Sequence, residues 1–197
     1  MIAEPMAGPW ARIVTKDGVL LRRPTEADAP GVLAVHGDPA VYAHDLHERH
    51  PHLEHSARFL APMLGHWAAH GFGYWSVLVP APGWPGGVPG AEPGDDGRTF
   101  AGLGGIQSHT LQGVPVLNVY VRFAVPAQGR GLARAVLEQA LVVAPHVAPG
   151  VDVVVRTRPA NATTRHVAER AGFVDEGLEP GTTDMQLLRY PGVPLAD

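Results

Sequence analysis

Two glycines, Gly129 and Gly131, stand between a strand pattern and a helix pattern, and this junction constrains the fold more than any other feature. Residues 116–125 before it alternate apolar and polar side chains, which predicts a strand. Residues 131–143 after it place apolar side chains at helical spacing, at Leu132, Val136, Ala140 and Val143. A strand, a tight turn and a helix in this order are typical of a crossover, so the sequence predicts one parallel strand pair.

Mixed helix and strand patterns fill the rest of the chain. We expect further strands at residues 18–23, 74–79, 99–108, 151–155, 173–176 and 183–190, and further helices at residues 25–36, 55–70 and 161–171. Thr25 and Asp28 fit a capping box that opens the first helix, while Gly71 and Gly172 fit the ends of two others. This order predicts an α+β fold with a mixed, mainly antiparallel central sheet.

The length of 197 residues suits one domain, which we place at residues 12–190. We expect residues 1–11 to form an N-terminal arm and residues 191–197 a C-terminal tail. Residues 80–97 contain five prolines and six glycines, a composition that excludes a helix or a central strand. A long exposed loop is predicted there. This loop is the candidate for self-association into a homodimer, although composition leaves the oligomeric state open.

Composition excludes several functional classes. The chain has no cysteine, which excludes disulfide scaffolds, cysteine-ligated metals and thiol nucleophiles. Its net charge of −4 argues against binding to a nucleic-acid backbone. The single lysine, Lys16, lies outside any glycine-rich loop, which argues against a Walker-type phosphate site. We find no signal-peptide pattern and no apolar run near the roughly 20 residues that a membrane span needs. The sequence therefore predicts a cytoplasmic protein without a membrane contact.

The glycine turn itself has the chemistry of an anion site. Residues 128–133 allow a tight turn that exposes consecutive amide hydrogens, and the following helix adds the positive end of its dipole. Together they form a pyrophosphate site without a lysine, to which Arg130 can add a charge. From the residues alone, a plain strand-to-helix turn remains open. A dinucleotide fingerprint fits less well, because Arg134 stands where that motif has a small residue.

The pattern Gln128-x-x-Gly131-x-Ala133 resembles the acetyl-CoA pyrophosphate motif of the GNAT acetyltransferase superfamily. Three further blocks in the expected order resemble this superfamily or its ribosomal-protein N-terminal acetyltransferase branch: residues 21–29, residues 118–123, and Asn161-x-x-Thr164 with Ala171-Gly172-Phe173. The resemblance covers roughly residues 12–190. It implies a GNAT-like single domain with helices on both faces of the sheet and a splayed strand pair that holds acyl-CoA.

The resemblance also implies a cofactor site and a reaction. Acetyl-CoA would be the co-substrate, with no metal, and a primary amine would attack its thioester directly. The implied contacts are the backbone of Phe123, Ala124 and Val125 for the pantetheine arm, with Gln128, Gly129, Arg130, Gly131, Leu132 and Ala133 for the pyrophosphate. Asn161 is predicted to cap its helix and to contact the cofactor. The acceptor would be a protein or peptide N-terminus, which residues 21–29 favour, or a small amine.

The sequence departs from the superfamily pattern at the position of the residue that would donate a proton to the leaving thiolate. Many members have a tyrosine seven residues after the conserved asparagine, and here that position is Ala168. Thr164 matches a position where the ribosomal-protein branch often has serine. Its hydroxyl is a candidate donor toward the sulfur, and the alternative is a helix-surface threonine bonded to its own backbone.

A base is also needed, because the amine must be neutral to attack. His109, close to a strand end, is the first candidate, and the alternative is an ordinary exposed histidine. Asn118 and Tyr120 share a strand face and are candidates for positioning the acceptor or a water. Asp184 is a second acidic candidate, with a surface charge as its alternative.

Histidines concentrate in the first third of the chain, notably at His44, His47, His50, His52 and His55. A metal site is one interpretation. The spacing matches no HExxH-type motif, which favours a surface or acceptor-facing loop. Trp67 and Trp75 are candidates for shaping acceptor specificity, although aromatics at this spacing more often belong to a core. A non-catalytic acyl-CoA-binding module remains the alternative function.

Overall fold

A computed structural model describes residues 8–42, 46–80 and 96–192. Residues 1–7 of the predicted arm, residues 193–197 of the predicted tail and nearly all of the predicted loop at 80–97 lie outside the described residues. Residues Pro9–Ala11 form a 3-10 turn. The Trp10 carbonyl accepts a hydrogen bond from Trp75 Nε1 at 2.8 Å, which fixes this turn to a fully buried side chain.

Eight strands and four α-helices lie in the described ranges: β1 (Arg12–Val14), β2 (Leu20–Arg22), α1 (Ala29–His36), α2 (Leu53–His70), β3 (Tyr74–Pro80), β4 (Arg98–Leu111), β5 (Val114–Phe123), α3 (Leu132–Val147), β6 (Val153–Thr157), α4 (Ala162–Arg170), β7 (Val174–Leu178) and β8 (Gln186–Tyr190). The strands form one sheet in the order β1-β2-β3-β4-β5-β6-β8-β7. The pair β5–β6 is parallel, and β1–β2, β2–β3, β6–β8 and β7–β8 are antiparallel. The predicted α+β class with a mixed, mainly antiparallel sheet is confirmed.

The chain divides into two compact units: Met1–Gly104 with Val121–Leu132, and Gly105–Tyr120 with Ala133–Asp197. In the first unit, Asp28 connects the entry of α1 to the sheet. Its carboxylate accepts from the Thr25 backbone N–H at 2.8 Å, which confirms the predicted capping box, although the box opens a 3-10 turn that leads into α1. It also accepts from both terminal nitrogens of Arg22 and from Ser76 Oγ, each at 2.8 Å or less. Arg22 and Ser76 face each other across β2 and β3.

Helix α2 packs against α1 in the same unit and ends as its sequence predicts. Leu60, Met63 and Trp67 form its buried stripe. Gly71 ends the helix in the left-handed conformation at φ 72°. Trp67 Nε1 then donates to the Tyr74 carbonyl at 2.8 Å, which ties the helix to the start of β3.

The second unit contains the parallel pair. Strand β5 pairs with β6 from Leu117–Val153 to Val119–Val155. Both strands continue past this point, to Phe123 and Thr157 respectively. Within the described residues, the last pair between β5 and β6 is therefore Val119 with Val155, and both strands continue beyond it.

A two-residue hairpin turn joins β4 to β5 within this unit. Gln112 and Gly113 both have positive φ, 50° and 81°, as in a type I′ turn. Strand β4 runs to Leu111, three residues beyond its predicted end, because this turn keeps the two strands paired. Among the described helices, none is long and apolar enough to cross a membrane.

Candidate functional site

The end of β5 leads into the glycine turn through a short, internally bonded segment. Ala124 N–H donates to the Ala101 carbonyl at 2.9 Å, and residues Val125–Ala127 then form a 3-10 turn. Gln128 Nε2 reaches back to the Phe123 carbonyl at 3.0 Å. The side chain of the first motif residue therefore holds the strand end and the turn in one arrangement.

Gly129 and Gly131 both adopt the left-handed conformation, at φ 71° and 81°, which glycine adopts without strain. No described heavy atom lies within 4 Å of where a Cβ would sit on either residue, so both face open space. Helix α3 starts at the next residue, Leu132, and the first amides of a helix have no acceptor within it. Arg130 is exposed, and its Nε donates to the Pro126 carbonyl at 2.9 Å. The turn thus fits an anionic phosphate group.

Gly102 on β4 lies against the same strand end. A Cβ there would stand 2.8 Å from Phe123 Cδ1 and 2.9 Å from Phe123 Cα, closer than real Cβ atoms approach. Only glycine allows β4 and the end of β5 to come this close. Sequence analysis missed this role, although a glycine inside a strand pattern is a signal for a close backbone approach.

Four ring side chains and one serine cluster in another part of the first unit. We call this set the imidazole cluster: His36, Tyr42, His50, Ser56 and Phe59. His36 Nδ1 and the Tyr42 hydroxyl are 2.8 Å apart, and His50 Nδ1 and Ser56 Oγ are also 2.8 Å apart. The His36 and His50 rings stack at 4.5 Å, with Phe59 at 4.8 and 4.9 Å from them. His50 belongs to the predicted histidine-rich segment, whereas sequence analysis did not single out His36 or Tyr42.

Burial sets the protonation of this cluster. It lowers the pKa of His36 to about 3, helped by the charges of His50 and Arg122. It likewise lowers the pKa of His50 to about 4, helped by His55 and Arg122. Burial raises the pKa of Tyr42, against an opposing effect of Arg122. At neutral pH both imidazoles are therefore uncharged, and the tyrosine keeps its proton.

Asn161 and Thr164 lie at the start of α4 in the second unit. The predicted helix cap is confirmed, because Asn161 Oδ1 accepts from Thr164 N–H at 3.1 Å. Asn161 is exposed, and Thr164 is half-buried. Ala168, where the superfamily often has tyrosine, is 1% exposed, so this position forms part of the core.

The other residues predicted to act on the acceptor or on a proton differ in their exposure to solvent. Asn118 is half-buried on β5 opposite Val154, and Tyr120 is half-buried two residues further on. His109 is exposed on β4, eight residues along the strand from Ala101. Asp184 is exposed and accepts from Arg158 at 3.3 Å, as a surface charge would.

Trp67 and Trp75 are 2% and 0% exposed, so their interpretation as core residues is confirmed. Within residues 8–42, 46–80 and 96–192, no group of three or more histidines and carboxylates is arranged to hold a metal ion. His44, one member of the predicted histidine-rich segment, lies outside those ranges.

Comparisons with known proteins identify the fold. A family model described as an acetyltransferase (GNAT) domain matches residues 19–174. An acetyltransferase from Agrobacterium tumefaciens aligns at TM-score 0.65 and 19% identity, over 95% of this chain and 98% of its own. A GNAT-family acetyltransferase from Bacillus anthracis aligns at TM-score 0.58 and 16% identity, over 89% and 94%. A phosphinothricin acetyltransferase from Sinorhizobium meliloti, solved with acetyl-CoA, aligns at 0.60 and 14%, over 89% of both chains.

No protein with a curated description matches the sequence significantly. The identities to the solved structures are low, and these structures therefore support the fold alone. The family match spans well over half of the chain, and it includes the glycine turn and the start of α4. The chain belongs to the acetyltransferase (GNAT) domain family.

Proposed function

We propose that this protein transfers an acetyl group from acetyl-CoA to a primary amine, without a covalent enzyme intermediate. The observation that carries the proposal is the glycine turn that opens α3 within a GNAT domain. Gly129 and Gly131 are both in the left-handed conformation and face open space. This backbone suits a pyrophosphate, and acetyl-CoA supplies both that group and the reactive thioester.

Two segments are proposed to bind acetyl-CoA. The amides of residues 128–133 would hold the pyrophosphate, with Arg130 and Asn161 adding polar contacts. Backbone groups of Phe123, Ala124 and Val125 would pair with the pantetheine arm as an added strand does. Strand β5 supports this, because it extends to Phe123, beyond its last residue paired with β6.

The proposed chemistry is direct attack of the amine nitrogen on the thioester carbonyl. A C–N bond forms, the C–S bond breaks, the amine gives up a proton, and the thiolate takes one. Thr164 is the proposed donor toward sulfur, His109 the proposed base, and Asn118 the residue that positions the acceptor or a water. Most of the rate enhancement would come from proximity and from polarisation of the carbonyl.

The proposed acceptor is a protein or peptide N-terminus or a small amine. Residues 21–29 resemble the ribosomal-protein N-terminal acetyltransferase branch and support the first of these. In the structure, however, Arg22, Thr25 and Asp28 of this block bond to one another. The block therefore has a structural task in the first unit whatever the acceptor is. A homodimer and a cytoplasmic location stay predictions from the sequence.

Release of free CoA in the presence of an amine tests the proposal. Because the chain has no cysteine, a thiol reagent reports only on CoA. We expect acetyl-CoA and a panel of amines and short peptides to give amine-dependent thiol release. Acetyl-CoA binding without turnover on any amine would support the alternative, a non-catalytic acyl-CoA-binding module, and would contradict the proposed enzyme.

A further inference from the structure

Arg122 directly precedes Phe123 and lies against Tyr42, at the more accessible end of the imidazole cluster. Its guanidinium carbon is 4.4 Å from the centroid of the Tyr42 ring. Arg122 and Tyr42 are half-buried, whereas His36 and His50 are 0% and 5% exposed. An aromatic face in this position attracts the cation and limits its orientations. The guanidinium is thus positioned by Tyr42 while solvent still reaches part of the residue.

Arg122 brings a permanent positive charge to this region. An arginine stays protonated at all ordinary pH values. Its charge acts on His36, His50 and Tyr42, and it helps to keep both imidazoles neutral. The titratable and charged groups that act on the cluster come from α1, from the segments beside it, from α2 and from β5: His36, Tyr42, Glu48, His50, His55 and Arg122.

The position of Arg122 relates this charge to the proposed reaction. The next residue, Phe123, begins the backbone segment that we assign to acetyl-CoA, and the missing side chain of Gly102 lets that segment lie close to β4. Because the pantetheine arm carries the thioester, the proposed cofactor site brings the attacking amine to this strand end. A planar guanidinium is well suited to a carboxylate, which it binds through two parallel hydrogen bonds.

We propose that Arg122, oriented by Tyr42, binds a carboxylate carried by the amine acceptor. The acceptor is then a small amine with a carboxylate close to its nitrogen, as in a free amino acid. This inference rests on the proposed function and narrows its acceptor. A peptide N-terminus has an amide in place of that carboxylate, and preference for such an acceptor is the opposing outcome of the test.

Matched acceptors test the proposal. Amino acids with different side chains are compared with their own C-terminal amides, with kcat/KM measured by CoA release. The amides have the same shape and resemble a peptide N-terminus. We expect the carboxylates to be favoured by about 10- to 100-fold, mainly through KM, because hydrogen bonds to charged groups have this strength. Equal rates, or faster acetylation of the amides, would overturn the proposal.

Variants assign the preference to its residue. Arg122→Gln should reduce the carboxylate-to-amide ratio to near one, and Arg122→Lys should keep part of it because the charge remains. Tyr42→Leu, which removes the ring, should lower the ratio. Arg58→Gln is the control, since it removes an exposed arginine on α2 of the same unit. If Arg122→Gln leaves the ratio as it is, or if Arg58→Gln changes it equally, Arg122 is not the carboxylate ligand.

A binding measurement separates this inference from the proposed function. If no amine is acetylated, the proposed function fails, and N-acetylphenylalanine and its amide are then titrated against the protein. Their binding is measured by calorimetry at pH 7, where the probe's carboxylate is ionised. N-acetylphenylalanine should bind more tightly than its amide, and Arg122→Gln should abolish the difference. Equal affinities of the two probes, no binding of either, or a difference that persists in Arg122→Gln would reject the carboxylate site.

Discussion

Gly102 and Phe123 approach so closely that a Cβ on Gly102 would stand 2.8 Å from Phe123 Cδ1. The position matters because Phe123 ends β5 and begins the segment that leads to the glycine turn. Ala124, next along the chain, donates to Ala101 beside Gly102. The spacing between β4 and the proposed cofactor strand therefore depends on the absence of one side chain.

Gly102→Ala should lower the free energy of unfolding by roughly 1–3 kcal/mol, because the added methyl meets the Arg122 carbonyl oxygen and Phe123, which must shift. The φ of 155° at Gly102 is also strained for alanine. It should also weaken acetyl-CoA binding. Denaturant unfolding and calorimetry measure the two effects. Gly65→Ala is the control, since a Cβ at that position in α2 meets no described atom within 4 Å and favours a helix. A Gly102→Ala protein as stable as wild type would contradict the close approach.

Gly131→Ala should weaken acetyl-CoA binding more than its backbone strain explains. An alanine at φ 81° is strained, which costs about 1 kcal/mol or more. Gly113→Ala is a matched control, because Gly113 has the same φ, also faces open space and lies in the β4–β5 hairpin turn. Both variants should lose similar stability, but only Gly131→Ala should lose acetyl-CoA affinity. Equal affinities in the two variants would argue that the turn is only structural.

Stability should fall as the solution is acidified below about pH 6.5. Burial lowers the pKa of His36 to about 3 and that of His50 to about 4 in the folded protein. Between these values and the unfolded pKa of 6.5, the unfolded chain binds more protons, so stability rises with pH. His36 alone should contribute a slope of about 1.4 kcal/mol per pH unit between roughly pH 6 and 4.

Melting temperatures of wild type, His36→Phe and His109→Phe across pH 4–8 measure this dependence. His36→Phe should flatten the dependence, since it removes one proton acceptor and keeps a ring in the stack. His109→Phe should keep the wild-type dependence, because it changes an exposed residue outside the imidazole cluster. The interpretation fails if His36→Phe and wild type respond to acid in the same way.

The Arg156–Glu179 pair should matter far more to stability than the nearby Arg158–Asp184 pair. Glu179 accepts from Arg156 Nε at 2.6 Å and from Nη2 at 3.0 Å, and its side chain is 7% exposed. Arg156→Met leaves that carboxylate buried without its cation, which should cost about 3 kcal/mol. Arg158 and Asp184 are 49% and 60% exposed, so Arg158→Met should cost less than about 1 kcal/mol. Urea unfolding measures the free energy of unfolding of both variants. Equal losses of stability in Arg156→Met and Arg158→Met would contradict the claim that burial makes the first pair more important.

Thr164→Val should lower kcat at least about 10-fold with little change in KM, if the hydroxyl donates toward the leaving sulfur. Valine keeps the shape of threonine, and the Thr164 backbone N–H still reaches Asn161. Thr163→Val, a change at an exposed neighbour on α4, is the control. A normal kcat in Thr164→Val would assign the proton transfer to water or to another group.

Local sequence patterns predicted the helices and strands that carry the proposed cofactor site. They did not predict contacts between residues far apart in the sequence. Alternation in β5, the positive-φ demands of Gly129 and Gly131 and the Asn161 cap are all set by neighbours in the chain. In the imidazole cluster His36 of α1 stacks on His50, 14 positions later, and Arg122 reaches the cluster from β5. A single sequence does not show which distant histidines share a buried site.

The same limit explains two other omissions. Strand β1 has only three residues, Arg12–Val14, with too little alternation to predict a strand, and it forms only by pairing with β2. The ion pair of Arg156 with Glu179 links residues 23 positions apart. Neither residue stands out in the sequence, because charged side chains are usually exposed.

The melting temperature with and without acetyl-CoA, with NAD as the control ligand, tests the central claim most directly. At about 100 times its dissociation constant, a ligand of the folded state adds about 2.7 kcal/mol, or several degrees for a chain of this size. We predict such a shift with acetyl-CoA and none with NAD. No shift at millimolar acetyl-CoA, or an equal shift with both ligands, would contradict the assignment of the glycine turn as the acetyl-CoA site.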